Sequence, residues 1–222
     1  MRFAVIVSAD AEWQAVKPLF PTDPIQTSPY GEYFYANVDH ERVLFFHGGW
    51  GKVAAAGSTQ YLIDHFRPER LINLGTCGGV ENRIQRFEVV AVERVVIYDI
   101  GEGIGDSQQA IAAYSTEIAL PSSLPFPVYK ATMYSADRDL TAADLLRLDA
   151  QCRPVVADWE SGAIAWVAQR NATPVLILRG VTDLVNPSSA EALGNLPLFQ
   201  SNTMVVMQKL VADLPQWLMG CR

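Results

Sequence analysis

The chain has 222 residues, of which half are hydrophobic and 18% are charged. That length and composition are enough to bury a core and argue against a disordered chain. The net charge of −7 at pH 7 and the pI of about 4.9 argue against nucleic acid or an anionic membrane as partner, because both are bound by basic faces.

In chain order, alternating apolar and helical patterns predict a series of strands and helices. The predicted elements are a strand over residues 3–7, a helix over 10–19, a turn-rich segment over 21–31, strands over 33–38 and 43–47, a helix over 52–66, strands over 70–74 and 88–97, an irregular excursion over 99–127, a strand over 128–134, a helix over 141–149, a strand over 153–156, a helix over 161–169, a strand over 174–181 and a helix over 198–214.

This alternation predicts an α/β fold, a three-layer αβα sandwich with helices on both faces of a mixed, mostly parallel central sheet. No repeat or linker divides the chain, so we expect a single domain over residues 1–222. Ligands of such sheets bind beyond the carboxyl ends of the strands. Polar residues concentrate at those places, over residues 8–12, 48–52, 75–79 and 179–183.

The first residues carry too short an apolar run, with Asp10 and Glu12 close behind it, for a signal peptide. No apolar run approaches the roughly 18 residues of a membrane span. The three cysteines form no CxxC pair, which is typical of free thiols in a reducing compartment. We therefore expect a cytoplasmic protein that does not bind membranes.

Two glycine-rich segments fail as phosphate-binding motifs. GGWGK at residues 48–52 has Phe46 where a P-loop needs glycine and Val53 where it needs serine or threonine. GEGIG at residues 101–105 is followed by Asp106, where a dinucleotide fingerprint needs its last glycine. No two histidines lie at metal-ligand spacing. We expect neither a metal nor a cofactor.

Three acidic residues stand where an exposed polar surface is not the natural explanation. Glu12 follows the first strand, Glu160 precedes an apolar helix, and Asp183 follows the most apolar strand. Each has a structural explanation when taken alone, as a helix-terminal or turn-capping residue. Their joint occurrence after core strands favours a functional site.

The segments SADAEW, GWGKVAAA, NLGTCGGV, VADWESGAIAWVA and RGVTDLV follow one another in an order and spacing that resemble the purine nucleoside phosphorylase/nucleosidase superfamily. They are most similar to its methylthioadenosine/S-adenosylhomocysteine nucleosidase branch. The resemblance extends from about residue 3 to residue 212 and is weak between residues 99 and 140.

The resemblance implies an enzyme that breaks the bond between ribose and a purine. Asp183 matches the acid that protonates N7 of the leaving base, Glu160 the carboxylate that binds the ribose hydroxyls, and Glu12 the base that activates water. Thr76 and Arg179 match residues that help to hold that water. Further implied substrate contacts are Ser8, Gly78, Asp158 and Trp159. The resemblance also implies a homodimer.

Three alternatives stay open. A phosphorylase needs arginines for phosphate, but Asn73 and the SADAEW loop stand where the related phosphorylases have them, which leaves Arg42 as a candidate ligand. A futalosine-type nucleosidase is possible because residues 135–141 lack the phenylalanine that stacks on the base in many members. Trp159, where the branch usually has methionine, leaves open a nucleoside-binding protein without catalysis.

Overall fold

A computed structural model of the chain describes residues 1–20 and 24–221. Its elements are β1 (Phe3–Val7), α1 (Asp10–Val16), a 3-10 turn (Lys17–Leu19), β2 (Gln26–Thr27), β3 (Glu32–Val38), β4 (Glu41–His47), α2 (Gly51–Phe66), β5 (Arg70–Val80), β6 (Val89–Ile97), α3 (Ser107–Tyr114), β7 (Thr116–Glu117), β8 (Tyr129–Ser135), α4 (Ala142–Asp149), β9 (Val156–Asp158), α5 (Ser161–Arg170), β10 (Val175–Asn186), β11 (Ser189–Ala190) and α6 (Leu196–Gly220). The turn-rich prediction for residues 21–31 falls in part on 21–23, which lie outside the described residues.

Within the described residues, the eleven strands form one mixed sheet. β1 pairs in parallel with β4 and β5, and β5 pairs in parallel with β10. β6, β8 and β9 are also parallel to one another, whereas β10 pairs antiparallel with β6 and β5 pairs antiparallel with β9. Because β10 contacts both β5 and β6, the strands β5, β9, β8, β6 and β10 close into a ring.

Side chains of β1 alternate between two buried clusters, as the two-residue period of a strand requires. Ala4 and Ile6 pack with apolar side chains of α2 and α5, whereas Val5 packs with side chains of α1 and α6. The helices therefore cover both faces of the sheet. The predicted α/β architecture with a central mixed sheet is confirmed.

Two long strands continue past their predicted ends. β5 was expected to end near residue 74 because GTCGG is typical of a turn, but it runs to Val80. β10 was expected to end at 181 and runs to Asn186, because the two strands stay paired from Leu71–Val175 to Val80–Val185. Backbone pairing thus overrides the turn preference of the glycines.

Two local differences have simple backbone causes. The strand predicted over 153–156 lies instead at Val156–Asp158, since Arg153 adopts a positive φ of 48°, which a strand does not accommodate. The 99–127 segment is not wholly irregular. It contains α3, whose first turn is capped by the Asp106 carboxylate, and the short strand β7, which pairs with β6.

The last helix is longer than predicted and spans Leu196–Gly220, with Pro197 in its first turn, where proline is tolerated. None of the helices in the described ranges combines the length and the apolar character that a membrane crossing requires.

Candidate active site

A cavity of about 560 Å³ opens at the carboxyl ends of β1, β4 and β8, beside the second halves of β5 and β10. Segments that follow or end these strands line it, together with the first turn of α6. The lining includes Glu12, Glu160 and Asp183. The three acidic residues, which are more than 20 positions apart in every pairing, therefore meet at the sheet edge where ligands of such folds bind.

Glu12 is held in one orientation by three donors. It lies in the first turn of α1 and is 2% exposed. Its Oε1 accepts hydrogen bonds from the backbone N–H of Thr76 at 2.5 Å and from the Thr76 hydroxyl at 2.8 Å, and its Oε2 accepts one from the N–H of Ala9 at 3.2 Å. The Glu12 carboxyl is therefore fixed in position beside the cavity.

Arg179 lies behind the cavity wall with a fully buried side chain. Its Nη2 is 2.9 Å from Oδ2 of Asp158 and donates to Oδ1 of Asn73 at 2.8 Å, and its Nε donates to the Ser161 hydroxyl at 3.1 Å. Its Nη1 is 3.8 Å from Oε1 of Glu12. The guanidinium therefore balances the charge of two buried carboxylates, a pairing that buried charges require.

Glu160 stands at the N-terminus of α5, and its Oε1 accepts a hydrogen bond from the N–H of Gly51 at 3.0 Å. Burial raises the pKa of Glu160 to about 8; Arg179 opposes this shift, while Asp158 and Glu12 add to it. This shift favours the neutral carboxyl in the free site near pH 7. The resemblance implies a carboxylate that binds the ribose hydroxyls at this position, and that role requires ligand binding to be coupled to loss of the proton.

Asp183 lies in β10 next to the cavity, and its Oδ1 accepts a hydrogen bond from the Thr182 hydroxyl at 2.7 Å. Burial raises the pKa of Asp183, and the Thr182 hydrogen bond only partly opposes the shift. A Cβ at Gly78 would lie 3.6 Å from Oδ2 of Asp183, so the glycine leaves space beside this carboxyl. A buried acid with a raised pKa that lines a cavity is suited to donate a proton.

The other predicted substrate contacts divide into two groups. Thr76, Gly78, Asp158 and Trp159 line the cavity. Ser8 and Arg179 are fully buried and lie outside the described lining. A direct substrate contact for Ser8 and Arg179 stays a prediction. Arg179 is adjacent to Glu12, which lines the cavity, so it can act on a ligand through that residue.

Several lining residues were not predicted from the sequence, among them Trp50, Arg138, Asp139 and Phe199. The indole of Trp50 stacks on that of Trp159 with centroids 5.4 Å apart and planes 26° apart. Trp50 follows a predicted strand inside the rejected GGWGK motif, and that position was the available signal. Arg138 and Asp139 lie in the 135–141 segment, which the resemblance places near the base, but neither side chain was predicted as a contact; Phe199 comes from a segment whose sequence carried no such signal.

Carboxyl side chains outnumber cationic ones in the cavity lining. The described lining contains six carboxyl side chains and one guanidinium, that of Arg138. Nη2 of Arg138 already donates to Oδ1 of the buried Asp144 at 2.5 Å. Arg42 lies elsewhere, over the ring of Tyr35 at 4.6 Å. Such a lining repels polyanions and admits neutral or cationic ligands.

The fold and the position of this cavity define an α/β protein with a ligand site at the carboxyl edge of a mixed sheet. A family model described as the phosphorylase superfamily matches residues 2–156, and the chain belongs to this superfamily. The 5′-methylthioadenosine/S-adenosylhomocysteine nucleosidase of Marinomonas sp. (strain MWYL1) is 25% identical over 223 residues, which cover 93% of this chain and 96% of that protein.

Two solved structures have the same fold. The apo structure of Arabidopsis thaliana 5′-methylthioadenosine nucleosidase superposes with a TM-score of 0.80 at 22% identity and covers 99% of this chain and 95% of that one. The futalosine hydrolase of Helicobacter pylori superposes with a TM-score of 0.80 at 13% identity, covering 99% and 97%. The family match over residues 2–156 confirms the predicted resemblance to the superfamily.

Proposed function

We propose that this protein hydrolyses the N-glycosidic bond of a purine nucleoside, 5′-methylthioadenosine or S-adenosylhomocysteine, and releases adenine. The observation that carries the proposal is the meeting of Glu12, Glu160 and Asp183 at one cavity, each in a different electrostatic environment. The names of the relatives described above support the same chemistry and the same substrate class.

Asp183 is the general acid. Departure of a purine leaves negative charge on the base, which a proton on N7 neutralises. The acid must keep its proton near neutral pH, and burial raises the pKa of Asp183 in that direction. The proton on the Asp183 carboxyl moves to N7 as the bond between C1′ and N9 breaks.

Glu12 is the general base. Its carboxylate is oriented by Thr76 and Ala9, and it takes a proton from the water that attacks C1′. Glu160 binds the ribose hydroxyls and, once ionised, stabilises positive charge on the sugar. The new bond joins the water oxygen to C1′, so the products are the free base and the free sugar.

The acidic lining disfavours phosphate as the nucleophile. Asn73, at the position where the related phosphorylases have an arginine, accepts a hydrogen bond from Arg179 and donates one to the Ile6 carbonyl at 3.1 Å. Arg138 is engaged by Asp144. Neither Asn73 nor Arg138 therefore offers a free cationic donor to a phosphate, so hydrolysis is favoured over phosphorolysis.

The test is base release from a panel of 5′-modified adenosines and inosines and futalosine, each with and without phosphate. Wild-type protein should release adenine without phosphate, and Asp183→Asn and Glu12→Gln should each lower kcat by about 10²- to 10⁴-fold. Asp64→Asn, an exposed carboxyl on α2, is the matched control and should retain full activity.

A strict phosphate requirement would instead identify a phosphorylase, and preferential release from futalosine would identify that substrate. Adenine that raises the Tm of a protein without any turnover would identify a binding protein. Full activity in either variant would refute the role assigned to that residue.

We also propose that the protein is a cytoplasmic homodimer. Apolar side chains close to the cavity are exposed in the single chain: Trp50 is 67% exposed and Val53 is 87% exposed, a property that marks interaction surfaces. The free cysteines fit a reducing compartment. Sedimentation equilibrium at micromolar concentration should give twice the chain mass, and a monomer would refute the dimer.

A further inference from the structure

One carboxylate of the cavity stands apart from the other five. Asp139 lies in the turn between β8 and α4, and it is exposed toward the cavity. No hydrogen bond or ion pair engages its side chain within residues 1–20 and 24–221. The other five each have a polar neighbour: Glu12, Asp158, Glu160 and Asp183 through the contacts described above, and Asp10 through Nε2 of His47 at 3.1 Å.

Asp139 belongs to the Asp183 end of the cavity. After burial, the charges that raise the pKa of Asp183 are those of Glu191 and Asp139, while Arg86 lowers it. The charges that act most on Glu160 are instead Arg179, Asp158 and Glu12. Asp139 and Asp183 line the same cavity, and the charge of Asp139 acts on Asp183 but is not among the charges that act most on Glu160.

The structure of the purine ring limits which substituents of the base Asp139 can contact. If Asp183 protonates N7, the substituent nearest to that atom on the six-membered ring is the one at position 6. The assignment of N7 to Asp183 rests on the proposed function. We propose that the Asp139 carboxylate accepts a hydrogen bond from the 6-amino group of the base and thereby selects 6-aminopurines over 6-oxopurines.

The selection follows from donor and acceptor chemistry. A carboxylate is an acceptor only, so it matches an amino group and opposes a carbonyl oxygen. Arg138, the neighbouring cation, is held by Asp144 at 2.5 Å and lies 5.6 Å from the ring centroid of Tyr98, so it is already committed. A site built to accept a hydrogen bond discriminates strongly against an analogue that cannot donate one.

The same charge favours the protonated form of Asp183. The groups around Asp183 are the Thr182 hydroxyl, the buried thiol of Cys77, whose pKa burial raises well above its ordinary value, and Glu191. Glu191 is balanced because both its oxygens accept from Nη2 of Arg86, at 2.6 and 2.7 Å. Asp139 is therefore the unbalanced negative charge at this end, and its removal should lower the pKa of Asp183.

The experiment compares wild-type protein with Asp139→Asn, and with Asp64→Asn as the matched control. The ratio of kcat/KM for 5′-methylthioadenosine to kcat/KM for 5′-methylthioinosine should fall at least about tenfold in Asp139→Asn, because the amide can rotate to donate to a 6-oxo group. The basic limb of the pH profile for 5′-methylthioadenosine should move to lower pH in the same variant. Asp64→Asn should change neither quantity.

Asp139→Ser, which has a short neutral side chain, is the second variant and should also lower the ratio and shift the basic limb. An unchanged ratio and an unchanged basic limb in both active variants would overturn the inference and leave the proposed hydrolysis intact. Absence of base release by wild-type protein from every nucleoside would instead refute the proposed function itself. The two failures are therefore distinguishable.

Discussion

Gly75 is the position where a single methyl group should do most damage. A Cβ at residue 75 would lie 1.7 Å from Nη1 and 2.9 Å from Cζ of Arg179, and 2.9 Å from Oε1 of Glu12. The guanidinium cannot move aside, because it is fully buried and fixed by Asp158 and Ser161. Overpacking alone costs about 1–3 kcal/mol. Displacing Arg179 would also leave a buried carboxylate unpaired, which costs about 3–5 kcal/mol.

We therefore expect Gly75→Ala to lower the free energy of unfolding by at least about 3 kcal/mol and to reduce kcat, because Glu12 loses its orientation. Urea denaturation followed by tryptophan fluorescence measures the first quantity, and adenine release measures the second. Gly101→Ala is the control, since a Cβ there meets nothing within 4 Å. It should change stability by less than about 1 kcal/mol. Wild-type stability and turnover in Gly75→Ala would refute the reasoning.

Two further predictions concern the neighbouring cavity residues Trp159 and Glu160. Burial raises the pKa of Glu160 from 4.5 to about 8, so the folded protein resists an ionisation that the unfolded chain permits, and stability should fall as pH rises through this window. Glu160→Gln should raise the free energy of unfolding by up to about 5 kcal/mol at pH 8 and by less than about 1 kcal/mol at pH 5. Urea denaturation at the two pH values measures both changes. An equal gain at pH 5 and pH 8 would contradict the raised pKa of Glu160. Trp159→Met should remove the stack on Trp50 and lower the free energy of unfolding by about 1 kcal/mol. The relative kcat/KM for bulky 5′-arylthio substrates should rise in the same variant. An unchanged ranking of substrates would contradict a role for the indole pair.

The sequence was most informative where apolar periodicity and burial agree. The first strand was predicted with its observed bounds, Phe3–Val7, because every residue in it is buried. The helix that contains no buried residue, Ser107–Tyr114, was missed, because it depends on a cap at Asp106 rather than on an apolar face. A helix of only eight residues with no buried face has little signal that distinguishes it from a loop.

The residues of the site were likewise predicted only in part. Glu12 and Asp183 were identified because they follow core strands in segments that resemble a known family. The carboxyl of Asp139 and the indole of Trp50 were not predicted as site groups. Residues 135–141 attracted attention only because they lack a stacking phenylalanine, and a tryptophan in a glycine-rich loop is ordinary at the surface. Arg179 was expected at a strand end near the substrate. Its side chain is instead fully buried and paired with Asp158, and no local sequence pattern reveals such a tertiary contact.

The orientation of Asp183 depends on one extra residue in β10. Along the pairing of β5 with β10, Val181 is opposite Cys77, whereas Asp183 is opposite Gly78, so Thr182 is the inserted residue of a bulge. Without it, the two-residue period would place Asp183 opposite Gly79, on the face where Val181 packs in the core. The bulge moves the carboxyl to the opposite face, which borders the cavity. The proposed acid is therefore buried enough for a raised pKa and still in contact with the ligand space, a combination that a regular strand at this position would not give.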